Sequence, residues 1–220
     1  MNSIRQNKLW VRLIVLIAFI ALFKPAFAQS NVTFDAGQVF STYKYSDSLG
    51  DEKSFSRNIT GCFSIGYQYI IDNGVFIRVN AGMRKGGASL IYNDLKVSWQ
   101  VQYADANLGV GYMYSKWRIK PYFSVSPYYA MMLKAEQTIG QDNYDIKENK
   151  SMAASDFGLY LSPGCKVSLT NSVSCFFEYR EIIGLQNLEN TGGQKSYNRG
   201  SSINIGVSIA LIKYKYVTSK

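Results

Sequence analysis

The sequence predicts an all-β fold, namely an eight-stranded antiparallel up-and-down transmembrane β-barrel with short periplasmic turns and long extracellular loops. Apolar and polar residues alternate with period two in eight segments, which is the pattern of β-strands with two different faces. The connections between these segments are alternately short and long, as in barrels that cross a membrane. Aromatic residues make up 15% of the chain and charged residues only 18%, below the roughly 25% of a typical soluble domain.

The alternation is clearest in residues 58–69, where Ile59, Phe63 and Ile65 share one face and Thr60 and Ser64 the other. The first segment fits the pattern less cleanly than the other seven. In the fourth, the phase slips by one near Tyr103 and Ala104, where we predict a β-bulge. The predicted strands cover residues 32–43, 58–69, 77–84, 95–114, 121–133, 157–169, 173–180 and 203–211.

The connections alternate in length along the chain. Tight turns are predicted at Asp72-Asn73-Gly74, at Ser115-Lys116-Trp117-Arg118, and at Thr170-Asn171. Long polar loops are predicted at residues 44–57, 85–94, 135–152 and 186–200.

The composition of the two strand faces distinguishes a membrane barrel from a soluble one. The polar face consists mostly of Ser, Gly, Asn, Thr and Gln, which suit a narrow packed interior. The other face carries large aliphatic and aromatic residues, which suit lipid. A soluble secreted β-barrel is the alternative. Pro121 and Pro127 lie on the outward face of the fifth strand, and the alternation alone does not explain them.

The first 28 residues have the features of a secretory signal peptide. Arg5, Lys8 and Arg12 precede an eleven-residue apolar run, and a small-x-small cleavage site places the cut between Ala28 and Gln29. The apolar run is shorter than the roughly 20 residues of a spanning helix, the alternative interpretation. We therefore predict a signal peptide at 1–28 and an outer-membrane β-barrel domain at 29–220.

The strongly basic charge has a simple origin in this reading. The formal net charge is +9, from 24 basic and 15 acidic residues. Four of the basic residues and none of the acidic ones lie in the signal peptide, which leaves +5 on the exported chain. An exported protein is not expected to bind nucleic acid. Much of the remaining positive charge lies in the predicted periplasmic turns and tail, where it would face lipid headgroups.

Three segments resemble a known family: residues 120–129, the strand at 106–114, and Asp156-Phe157-Gly158-Leu159 with Pro163-Gly164 after it. They are similar to the outer-membrane β-barrel domain family common in Bacteroidetes-type bacteria, often labelled "porin family". The resemblance implies a multi-pass barrel in the outer membrane of a Gram-negative cell. It also implies contact with outer-membrane lipid and insertion by the outer-membrane assembly machinery.

The chain contains no histidine. This excludes Ser-His-Asp and Cys-His catalysis and every metal site that uses histidine. The known enzyme families with an eight-stranded outer-membrane barrel rely on an essential histidine. The sequence therefore predicts no enzymatic activity, no catalytic residue, no metal site and no cofactor.

The alternation also places charged side chains inside the predicted barrel or at its rim. They are Asp35, Arg78, Lys96, Asp105, Asp156, Lys166, Glu178, Arg180 and Glu181. Because an isolated buried charge is costly, we expect an interior charge network that includes Arg78, Asp105, Asp156, Glu178 and Arg180. A proton or ion path is the alternative interpretation.

Three cysteines remain in the exported chain, so at least one is unpaired. Cys62 is predicted to face inward. Cys165 and Cys175 face outward on either side of the Thr170-Asn171 turn, at distances that allow a disulfide. Two lipid-facing free thiols are the alternative.

Eight strands enclose an interior that side chains fill, which predicts no aqueous channel. We therefore expect a monomeric barrel with a structural or surface-interaction role through its extracellular loops, where an extracellular ligand or partner would bind. The alternatives are a narrow solute or ion channel and an accessory barrel of a secretion or assembly machine.

Overall fold

Ten β-strands make up the protein in the computed structural model, which describes residues 29–53, 55–92, 95–148, 152–190 and 193–211. The predicted signal peptide, including Ala28, lies outside the described residues. A short 3₁₀ turn spans Asp72–Gly74. The strands are β1 Gln29–Ser46, β2 Glu52–Lys53, β3 Ser56–Ile70, β4 Val75–Tyr92, β5 Leu95–Met113, β6 Ile119–Ile139, β7 Asp142–Asp145, β8 Ser155–Ser168, β9 Val173–Gly184 and β10 Lys195–Ala210.

Eight of these strands close into a ring in which every neighbour is antiparallel. The order is β1, β3, β4, β5, β6, β8, β9 and β10, and β10 pairs with β1 from Asn31↔Ala210 to Ser46↔Lys195. The two short strands β2 and β7 extend β1 and β6 at one end. The prediction of an eight-stranded antiparallel barrel is therefore confirmed.

The two faces of the strands have the predicted composition. Along β6, Ser124 and Ser126 are almost fully buried inside the ring, whereas Phe123 and Val125 on the other face are exposed. Across the barrel the outer wall is rich in exposed aliphatic and aromatic side chains. No helix in the described residues is both long and apolar enough to span a membrane.

The connections differ from the prediction at one end of the barrel. The three tight turns lie together at the end we call the turn end. At the opposite loop end, the predicted loop 85–94 is mostly strand, because β4 and β5 stay paired up to Tyr92↔Leu95. Gly87 permits this, since its φ is 139° and an added Cβ would lie 1.9 Å from the carbonyl oxygen of Trp99. The predicted loop 135–152 likewise contains the end of β6 and all of β7.

The predicted bulge was assigned to the wrong strand: it was predicted in β5 and lies in β6. The register between β5 and β6 does shift at Gln102 and Tyr103, but the unpaired residue is Leu133 of β6. The alternation of β5 continues unbroken, so Val101 and Tyr103 face inward and are buried. The apparent slip arises because the inner wall is itself apolar at the loop end.

The prolines interrupt single ladders without breaking the ring. The β5–β6 ladder has a gap between Asn107↔Tyr128 and Val110↔Val125, beside Pro127. The β8–β9 ladder has a similar gap beside Pro163. Both gaps are consistent with the missing N–H of proline.

Candidate functional site

The barrel interior holds three layers of side chains along the barrel axis. An apolar cluster of Phe76, Met113, Tyr122 and Phe176 fills the turn end. Charged side chains fill the middle. A second, larger apolar cluster fills the loop end.

Large interior rings fit in this narrow space because glycines face them on neighbouring strands. A Cβ added at Gly206 would lie 2.2 Å from the ring of Phe176, and one at Gly158 would lie 2.7 Å from the ring of Tyr128. Gly111 has the same relation to Phe76. Alternating large and absent side chains therefore pack the interior, as in other small barrels.

Glu178 is the centre of the first charged group, in the half of the barrel nearer the turn end. It is fully buried and contacts Arg78 of β4 at 2.7 Å and Arg180 of its own strand at 2.8 Å. The hydroxyl of Tyr122 on β6 donates a third hydrogen bond at 3.0 Å. The carboxylate therefore joins three strands and accepts bonds from two cations, which offsets the cost of burying all three charges.

Asp35 extends this group to β1. Its carboxylate lies 4.0 Å from Arg180 and accepts a hydrogen bond from Ser64 of β3. The guanidinium of Arg180 also lies over the ring of Tyr160, 5.1 Å from its centroid. Arg180 thus connects the two charged groups of the interior.

Arg84 is the centre of the second group. Its guanidinium contacts Asp156 at 2.8 Å and lies 3.5 Å from Asp105. It is held between the rings of Tyr103 and Tyr128, 4.6 and 5.2 Å from their centroids.

Neutral donors add further hydrogen bonds to the two acids beside Arg84. Asp156 accepts hydrogen bonds from Tyr128 and Asn198, each at 2.8 Å. Asp105 accepts one from Tyr160. The two carboxylates thus contact the Arg84 guanidinium and also neutral hydroxyl and amide donors. The residues of this second group come from β4, β5, β6, β8 and β10.

All five residues of the predicted network lie in these two groups. Arg78, Glu178 and Arg180 belong to the first and Asp105 and Asp156 to the second. Each carboxylate has an arginine partner.

Two other residues predicted to lie inside or at a rim do not face the interior. Glu181 lies on the outer wall, where it accepts a hydrogen bond from Tyr179 at 2.6 Å. Lys96 is exposed near the tip of β5. The prediction for Glu181 goes against the alternation of Glu178 and Arg180, and the supposed phase slip misplaces Lys96.

Arg84 is absent from the predicted network, although the alternation puts it on the same face as Arg78. Arg84 lies six residues after Arg78 on β4, and an even spacing puts both side chains on the same face of a strand. With Arg84 included, the described interior contains four basic and four acidic residues. They are Arg78, Arg84, Lys166 and Arg180, with Asp35, Asp105, Asp156 and Glu178.

Lys166 lies apart from both groups, near the turn end. Its ammonium donates to Gln68 at 2.7 Å and to Ser208 at 3.0 Å. It is bound by neutral oxygens, in contrast to the arginines.

The space left between the two charged groups is small. A cavity of about 10 Å³ lies among Asp35, Cys62, Arg84, Asp105 and Arg180. This is about the volume that one water molecule requires. The described residues contain no group of three or more metal-ligating side chains.

The loop end is closed by residues of the loops themselves. Three of them, Leu188, Ile146 and Met152, fold inward and are buried as part of the larger apolar cluster at the loop end. Phe55 packs edge-on against Trp99, with ring centroids 5.5 Å apart. Apolar side chains therefore fill the barrel at both ends.

The predicted disulfide is wrong. All three cysteines are free thiols. Cys165 pairs across the β8–β9 ladder with Phe177, and Cys175 pairs with Val167, so the two thiols are displaced by two residues. The β8–β9 hairpin is centred on Asn171, one residue later than the centre that a Cys165–Cys175 pair requires.

The comparison with protein families identifies the chain. The model of the outer membrane protein beta-barrel domain matches residues 14–210. The chain belongs to this family. It is therefore an outer-membrane protein whose outer wall lies in membrane lipid. The Bacteroidetes-type origin stays a prediction.

Solved structures support the fold. OprG from Pseudomonas aeruginosa matches with a TM-score of 0.57 and 11% identity, over 84% of this chain and 96% of that one. A major outer membrane protein from Thermus thermophilus matches with a TM-score of 0.50 and 13% identity, over 84% and 100%. None of the curated proteins matches the chain. At these identities the likeness concerns the fold alone.

Proposed function

We propose that this protein is an exported outer-membrane barrel with a packed, non-conducting interior, and that it acts as a structural or surface-interaction protein through its loops. The observation that carries the first part is the closure of the interior at both ends. Phe76 and Phe176 fill the turn end, and Leu188 fills the loop end. Between them, arginine–carboxylate contacts bind the interior charges across the barrel.

The loop end favours an interaction role. It exposes apolar side chains beyond the barrel, among them Leu49, Ile91, Leu95 and Tyr144. Binding residues on such scaffolds tend to lie in loops that a rigid barrel positions, and the loop end is where this chain presents its longer connections. Insertion by the assembly machinery, a monomeric state and the absence of enzymatic activity are further parts of the proposal.

Conductance in planar lipid bilayers tests the closed interior. Because apolar rings fill both ends, we expect the purified protein to give no steady openings at moderate voltage. A large porin inserted in the same membrane serves as the positive control. Reproducible unitary openings would contradict the packed interior and favour a narrow solute or ion channel.

The proposed orientation places the turn end in the periplasm and the loops outside the cell. We therefore expect trypsin added to whole cells to cleave after Lys147, which is exposed in the loop that follows β7. Lys116, in the turn between β5 and β6, should be cleaved only after the outer membrane is opened. Cleavage at Lys116 with Lys147 protected would invert the orientation.

A further inference from the structure

A groove of about 410 Å³ lies on the outer wall at the turn end of β5 and β6. Its apolar walls are Val110, Tyr112, Pro121 and Phe123. Tyr112 and Phe123 face each other across the ladder, and both side chains are about half exposed. The wall of a membrane barrel is in contact with acyl chains, so an apolar groove here suits an acyl chain.

The turn below this groove is basic and aromatic. Lys116, Trp117 and Arg118 are all exposed, and the ring of Trp117 packs edge-on against Tyr114 at 5.0 Å. Within the part of the chain that the structure describes, no carboxylate lies within ion-pair distance of Lys116 or Arg118. Two cations are therefore held next to an interfacial tryptophan without an acidic partner, an arrangement that attracts anionic headgroups.

The spacing of the two features matches a lipid molecule. A strand rises roughly 3.3 Å per residue, which puts Pro121 roughly 10 Å and Phe123 roughly 17 Å along the chain from Arg118. That range covers the distance from a headgroup phosphate to the upper part of an acyl chain. Of the other two described turns at this end, the one at residues 169–172 carries no charged residue and the one after β3 carries Asp72, so among the described turns the basic one is that between β5 and β6.

We propose that the groove and the turn form a binding site for one anionic glycerophospholipid. The acyl chain lies in the groove beside Tyr112 and Phe123, and Lys116 and Arg118 bind the negatively charged headgroup. Trp117 lies at the level where headgroup and acyl chain meet. The proposed orientation puts this site in the periplasmic leaflet, where glycerophospholipids are found. Only this choice of leaflet rests on the proposed function.

Native mass spectrometry of the full-length exported protein, released from nanodiscs, tests the site. The nanodiscs contain equal amounts of phosphatidylglycerol and phosphatidylcholine with identical acyl chains. We expect the wild-type protein to retain one phosphatidylglycerol in preference to phosphatidylcholine. Neutralising both cations, in Lys116→Gln with Arg118→Gln, should lower that preference by about fivefold per cation, roughly 25-fold together.

Two further variants separate charge from groove. The exchange Lys116→Arg with Arg118→Lys preserves both charges and should retain the preference. Val110→Trp fills the groove and should weaken the retention of both lipids. Neutralising Lys147 and Lys195 at the loop end should change nothing.

The results that would overturn the site are equally definite. They are equal retention of the two lipids by the wild-type protein, an unchanged preference after both cations are neutralised, or displacement of the lipid by millimolar inorganic phosphate. Because both leaflets of a nanodisc contain the same lipids, the outcome does not depend on orientation. Whole-cell proteolysis and conductance report the proposed function separately.

Discussion

Replacing Glu178 by alanine is expected to destabilise the barrel by about 3–5 kcal/mol, because it leaves Arg78 and Arg180 buried without their shared carboxylate. Both guanidinium groups contact Glu178 at 2.7–2.8 Å, and all three side chains are less than one-tenth exposed. The hydroxyl of Tyr122 loses its acceptor in the same variant. Asp35, 4.0 Å from Arg180, compensates for only part of the loss.

Equilibrium unfolding in urea, in small lipid vesicles and followed by tryptophan fluorescence, measures this effect. Glu181→Ala is the matched control, since Glu181 lies three residues further along the same strand but on the outer wall. It contacts one tyrosine, so we expect a cost of about 1 kcal/mol or less. Similar costs for the two variants would contradict the interior network.

A double-mutant cycle isolates the ion pair itself. Arg78→Met removes one of the two cations that Glu178 balances, so Glu178→Ala should cost less in that background than in the wild-type protein. Independent effects that simply add would mean that Arg78 and Glu178 do not stabilise each other.

The sequence predicted the ring and most of its interior because period-two alternation persists where the two faces differ in polarity. In β6, small serines such as Ser124 face in and rings such as Phe123 face out, so the pattern has one interpretation. At the loop end of β5 the polarity of the two faces is inverted, because polar residues such as Lys96 and Gln100 face out and the inner face is apolar. There the alternation predicts an outward position for Val101 and Tyr103, although they form part of the inner core.

The errors in register have a different cause, because single residues at turns and bulges set the register between neighbouring strands. Leu133 is an unpaired residue in β6, and no local pattern distinguishes it from its neighbours. A shift of one residue in the centre of the β8–β9 hairpin, from 170 to 171, moves the partner of Cys175 from Cys165 to Val167. The pairing of Arg84 with Asp156 depends on contacts across the barrel, and alternation alone gives the face of each residue but not its partner.

The second large effect is expected from a single added side chain at the seam where the barrel closes. Gly206 faces inward on β10 opposite Asp35 of β1. A Cβ there would lie 2.2 Å from the ring of Phe176 and 2.5 Å from the carbonyl oxygen of Phe34. The ring can move only into a filled interior, and the carbonyl belongs to the β1 backbone next to the seam. We therefore expect Gly206→Val to destabilise the barrel by about 3 kcal/mol or more and to slow its closure.

Gly61 offers the matched control, because it also lies in a long strand but faces outward. The nearest heavy atom to a Cβ at Gly61 is 3.8 Å away, which is an ordinary contact. Gly61→Val should fold as well as the wild-type protein, since valine favours strands. Refolding into vesicles, followed by the gel mobility of unheated samples, compares the two variants directly. Adding Phe176→Ala to Gly206→Val should restore only part of the yield, because the contact with the Phe34 carbonyl remains. Equal yields for Gly206→Val and Gly61→Val would mean that the interior can expand, and the same expansion would open a path through the turn end of the barrel.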